Sequence, residues 1–157
     1  PSTGVFDVLV PAGILVSPQG IVLDEAGESA WVADYRGGIF HLSLPGAELG
    51  KIAEGGTSHH GIDGLYRHGR WLLAIQNGLR PNRVVALRLD ERGLAVTRFE
   101  VLAAALPEFD EPTLGVVVDD RLHFVANSHW PRFDREGQLP DGLDGPLVLS
   151  VSVPDDE

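Results

Sequence analysis

The fold turns on one stretch: Pro18-Gln19-Gly20-Ile21-Val22-Leu23, then Asp24-Glu25-Ala26-Gly27-Glu28, then Trp31-Val32-Ala33-Asp34. Two short runs of β-branched, aliphatic and aromatic residues flank a segment of turn-forming types, which reads as a β-hairpin. Tyr35-Arg36-Gly37-Gly38 reverses the chain again, and Ile39-Phe40-His41-Leu42-Ser43-Leu44 alternates until Pro45-Gly46 stops it. Leu49 to Ala53 is a weaker fourth run. The reading is a four-run antiparallel meander.

The pattern recurs downstream. Leu65-Tyr66, Trp71 to Ile75, Arg83 to Leu89 and Leu94 to Leu102 make a second set, and Gly115 to Val118, Leu122 to Ala126 and Leu147 to Val153 a third. Gly20, Gly64 and Gly115 open the first run of each copy, 44 and 51 residues apart. Asp34, Gln76 and Asn127 close the second run of each, 42 and 51 apart. Four short strands per unit, repeated at 40 to 50 residues, is the sequence signature of a β-propeller. The expected fold is therefore all-β: a β-propeller portion of about three four-stranded antiparallel blades, at about 14–54, 60–105 and 112–153. Residues 5–10 are expected to add an outer strand to a neighbouring or closing blade. A plain antiparallel sandwich is the competing architecture. The one helical candidate, Leu102 to Phe109, is short and precedes Pro112.

Three blades do not close a ring, because propellers use about four to eight. A half ring leaves apolar blade faces uncovered, so a missing propeller half or a homo-oligomer is expected. The missing methionine, even at position 1, points to a processed chain or a piece of a longer one.

Composition narrows the partners. The 157 residues carry 23 acidic and 12 basic side chains, a net charge of −11, with Lys51 the one lysine. Such a body repels nucleic-acid backbones and anionic membrane surfaces. No cysteine is present, which removes disulfides, thiolate nucleophiles and sulfur-ligated metal sites. No apolar run is long enough for a membrane helix, and no charged-then-apolar leader opens the chain. A soluble protein is expected, and these features fit either side of a bacterial membrane.

Ser17-Pro18-Gln19-Gly20-Ile21, Ala33-Asp34-Tyr35 and Gly37-Gly38-Ile39 together resemble the six-bladed propellers of the regucalcin/gluconolactonase family and the related NHL repeats. Gly61-Ile62-Asp63-Gly64-Leu65-Tyr66 with Ile75-Gln76-Asn77-Gly78 fits the same scheme, as do Phe109 to Val118 with Val125-Ala126-Asn127-Ser128. The likeness covers nearly the whole chain and matches the C-terminal half of the family. It implies a divalent cation, Ca2+ or Zn2+, in a central tunnel and metal-assisted hydrolysis of a sugar-type lactone. By position, Asp63 and Gln19, each before a glycine, fall on two of the family's ligands, the second with glutamine where the family has asparagine. Leu114 holds the equivalent place in the third copy.

Asp63 is thus the candidate base and metal ligand, and Gln19 a metal or substrate contact; for Asp63 the alternative is a turn cap before Gly64. His60, with His59, precedes the second inner strand and is a candidate proton carrier, or part of an exposed loop pair. Glu111, in the cluster Glu108, Asp110 and Glu111, is a candidate substrate contact, or part of a solvated loop. Asn127 opens the insertion at 128–145, a lid or a surface loop, and is also placed at the substrate. Ser128 and His129 lack the Gly-x-Ser-x-Gly elbow of a serine hydrolase. Asp134, Glu136, Asp141 and Asp144 lack EF-hand spacing. The expected function is a propeller resembling metal-dependent sugar-lactone hydrolases. The alternatives are a non-catalytic ligand- or protein-binding propeller and a self-assembling fragment.

Overall fold

A computed structural model describes residues 4 and 6–155. The first sheet is a meander of β1 (Pro18–Leu23), β2 (Ser29–Asp34), β3 (Gly38–Ser43) and β4 (Leu49–Lys51). The second repeats it with β5 (Ile62–His68), β6 (Trp71–Gln76), β7 (Arg83–Leu89) and β8 (Val96–Ala104). The third holds β9 (Gly115–Val118), β10 (Arg121–Val125) and β11 (Val148–Ser152), in the order β11-β10-β9. Every strand pair in these sheets is antiparallel. The architecture is a β-propeller portion whose sheets do not close into a ring.

Three expectations need correction. The third sheet has three strands rather than four. Residues 6–10 form no strand, while Val5 lies outside the described residues. The stretch Leu102 to Phe109 is not helical, because β8 runs on to Ala104 and turns follow. Its apolar residues serve a sheet: Leu102, Ala103 and Phe109 pack against the core between the second and third sheets.

Strand alternation explains the stacking. Along β6 and β7, Leu72, Ala74, Val85, Leu87 and Leu89 face the first sheet, where they meet Trp31, Ala33 and Ile39. The intervening Trp71, Leu73, Ile75, Val84 and Ala86 face the third sheet and meet Leu122, Phe124 and Ala126. A strand buried on both sides has no position for a polar residue, so 71–75 and 84–87 read as continuous apolar runs.

The inner strands β1, β5 and β9 lie side by side. A Cβ on Gly20 would sit 2.5 Å from the Leu65 backbone nitrogen, so β1 and β5 approach closely only because glycine is there. On the other side of β5, the Gly115 N–H donates to the Tyr66 hydroxyl at 2.6 Å. Two of the three recurrent glycines thus sit where one inner strand meets the next. No helix among the described residues is long and apolar enough to cross a membrane.

Candidate functional site

The site starts from a defect repeated in two blades. In β1, register slips between Pro18 and Ile21, so Gln19 and Gly20 oppose one residue of β2. In β5 it slips between Ile62 and Gly64, at Asp63. A β-bulge takes a side chain out of the pleat alternation and re-aims it. Both bulged positions, Gln19 and Asp63, line one cavity of about 520 Å³.

The returning strands supply the rest. Asp34, Gln76 and Asn127 close β2, β6 and the run after β10, and all three are buried. Their side chains serve the backbone. The Asp34 carboxylate accepts from the N–H groups of Val16, Ser17, Arg36 and Gly37. Burial works against its charge, but these four donors hold its carboxyl below the usual value. The Gln76 amide donates to the Ser58 and His60 carbonyls at 2.9 and 2.8 Å. Asn127 donates to the Gly145 carbonyl and accepts from the Leu147 N–H. With each buried residue locked, the next one is presented to the cavity: Tyr35, Asn77 and Ser128 all line it.

Asp63 is the hub. Its Oδ2 accepts from the Thr113 hydroxyl at 2.6 Å and from Asn77 Nδ2 at 2.9 Å. Asn77 also donates to the Pro112 carbonyl, and its Oδ1 accepts from the Tyr35 hydroxyl at 3.0 Å. Blade one, blade two and the approach to blade three are thereby joined by one polar chain. Glu111 lines the same cavity in a left-handed conformation, φ 60°. Burial pushes its carboxyl up; Arg80 opposes, and the Asp63 and Asp110 charges add to the rise. Burial also raises the Tyr35 hydroxyl, with Glu111 and Asp63 adding to it. Trp130, 70% exposed, stands at the cavity's edge beside Phe133, ring centroids 5.8 Å apart.

Of the expected residues, Asp63, Gln19 and Glu111 come together. Gln19 is exposed and bonded to the Ser17 hydroxyl at 3.3 Å. His60 does not join them: it is exposed and outside the cavity lining, and its backbone carbonyl is what Gln76 holds. Its neighbour His59 is the buried one, beside Gly38 at the start of β3. The chain turns at His60 and Gly61, which leaves His59 facing in and His60 facing out. Asn127 braces the insertion and faces a separate cavity of about 580 Å³ with His129 and Asp144. Tyr35, Asn77 and Ser128 were not foreseen as lining residues. The signal was their shared position, one past each strand-closing polar residue.

The donor set bears on a divalent cation. Ca2+ takes six to eight oxygens at about 2.4 Å. Asp63, Glu111 and the Gln19 amide offer only a share of these, and Asp63 Oδ2 is already committed to two donors. No group of three or more His, Asp or Glu among the described residues is arranged to hold an ion. These residues supply part of a cation's ligand set and do not complete one by themselves.

No protein-family profile matches the chain, and no curated protein sequence matches it. Among solved structures, the chain is similar to a glucose dehydrogenase at 14% identity and a TM-score of 0.49. That alignment takes in 75% of this chain and 43% of the other, so this chain spans less than half of that protein's length.

Proposed function

We propose that the Asp63 cavity binds a small polyhydroxylated molecule, the class that includes sugar-type lactones, and that Glu111 acts on it as a general base. What carries the reading is the convergence of Gln19, Tyr35, Asp63, Asn77, Thr113 and Ser128 on one cavity of ligand size. Amides, hydroxyls and a carboxylate are donors and acceptors matched to hydroxyl groups, and Trp130 offers an apolar face to the C–H side of a ring. Asp63, oriented by Asn77 and Thr113, accepts from a substrate hydroxyl. Burial makes the Glu111 carboxylate a stronger base than an ordinary glutamate, which suits it to take a proton. It takes a proton from a water whose oxygen attacks the lactone carbonyl carbon. The ring C–O bond then breaks, and that proton passes to the departing oxygen, giving the open hydroxy acid.

Thermal-shift and calorimetric titrations with a sugar δ-lactone and with glucose test binding, and a pH-stat assay tests ring opening. Asp63→Asn weakens binding at least about tenfold, the loss of one charged hydrogen bond. Glu111→Gln still binds but opens the lactone more slowly. Binding without ring opening by the parent chain supports the non-catalytic platform instead. Binding unaffected by Asp63→Asn rules out this cavity. A calcium titration run in parallel tests the cation: stabilisation lost in Asp63→Ala would restore a metal role.

A further inference from the structure

The second cavity holds an arrangement that the ligand site does not use. His129 Nδ1 lies 2.9 Å from Asp110 Oδ2, and His129 Nε2 lies 3.0 Å from the Asp144 carbonyl oxygen. A carboxylate and a backbone carbonyl can only accept, so satisfying both needs a proton on each ring nitrogen. The bound form of His129 is therefore the imidazolium. Arg132 Nε donates to the same Asp110 oxygen at 3.0 Å. One further atom faces Nε2: the Asn127 amide nitrogen, at 3.2 Å. That nitrogen is a donor, so it suits only the ring whose Nε2 has lost its proton. The two candidate partners of Nε2 are thus mutually exclusive, and the proton chooses between them.

The position is mechanically placed. Asp144 is in the far limb of the 128–145 insertion, while Trp130, directly after His129, stands at the edge of the Asp63 cavity. His129 itself is buried and left-handed, φ 55° and ψ 17°, at the start of the 3-10 turn Trp130–Arg132. A non-glycine residue stays in that region only while its surroundings hold it.

We propose that His129 is a proton-operated positioning residue: charged, it clamps the insertion through Asp144 and fixes Trp130 at the cavity's edge; neutral, it turns to Asn127 and lets Asp144 go. The groups around it set the direction. Asp110 raises the affinity of His129 for its proton, burial opposes, and the Asp144 carbonyl favours the proton; Arg132 works against it. Glu108 and Asp144 also line the second cavity. Release therefore comes at a higher pH than for an ordinary histidine. The inference does not depend on what the Asp63 cavity binds.

The test follows the His129 ring by NMR in the full chain between pH 5 and 9. The Trp130 emission and the exchange protection of the Arg132 and Leu147 amides are read alongside, since these amides bond to His129 O and Asn127 Oδ1. Expected is one step, above pH 6.5, shared by ring, emission and protection, with protection falling several-fold on the alkaline side. His129→Gln removes the step. Asp110→Asn moves the midpoint down, and decides the matter if His129→Gln fails to fold. A ring titration that leaves Trp130 and both amides unchanged overturns the proposal, as does a step that survives His129→Gln.

Discussion

The second and third sheets share a sequence pattern but not a pattern of burial. Every residue of β6 is buried, whereas β10 alternates between buried and half-buried. The second sheet has a neighbour on each face; the third has one. On its inner edge Val116 and Val118 are 55% and 50% exposed. In a blade stack, a residue's worth is decided by its sheet's place in the row as much as by its own chemistry.

The largest test of that difference is Trp71→Ala. It removes a fully buried indole that also donates to the Asp155 carbonyl at 3.2 Å, and should cost about 3–5 kcal/mol in denaturant unfolding. An effect below about 1 kcal/mol would show that the second sheet is not the centre of the fold. Gly20→Val comes next. Its branched side chain would meet the Leu65 backbone, forcing β1 from β5 at about 1–3 kcal/mol. Asp34→Asn, in the first sheet, should cost a similar or smaller amount, about 1–3 kcal/mol at neutral pH. Because Asp34 has its pKa lowered on folding, its contribution is present above about pH 4 and fades as pH falls, so mutant and parent should converge in acid.

His59 supplies a pH test between the first two sheets. It is fully buried, and neither ring nitrogen makes a well-formed hydrogen bond. Burial lowers its pKa, against the pull of Glu54. The unfolded chain then binds a proton that the folded chain refuses, so stability falls as pH drops below about 6.5. His59→Leu should flatten that slope in denaturant titrations at pH 5 and 7. The smallest effect is expected at the third sheet's open edge: Val116→Ser should change stability by less than about 0.5 kcal/mol. A larger loss would mean that something covers that edge in solution.

The meander was legible because turn residues and apolar runs alternate at short range, and the period because Gly20, Gly64 and Gly115 recur in phase. The third sheet's missing strand was legible only as a weak signal, since 128–145 has no β-prone run to fill it. At the candidate site, Asp63 and Gln19 stand out in the sequence through their position before a glycine, and both line the same cavity. That glycine marks the bulge that turns them outward. His60 lies outside the Asp63 cavity lining because tertiary packing, which two adjacent histidines in a sequence do not reveal, turns His59 in. Asn127 lines the second cavity rather than the Asp63 cavity for a related reason. A polar residue at the end of a strand can serve either a ligand or the backbone, and here the Gly145 and Leu147 groups claim it.

The bulges at Gln19 and Asp63 have a consequence for how such a molecule changes. Each aimed side chain stands outside the in-and-out rhythm that packs one sheet on another. At Gln19, exposed and bonded to its neighbour Ser17, identity can therefore drift with little penalty to the fold, whereas Asp63 also ties blade to blade through Asn77 and Thr113, and Asp34 and Gln76 one strand away are locked to the backbone. Chemical taste and architectural integrity are separately heritable within a single pair of paired strands.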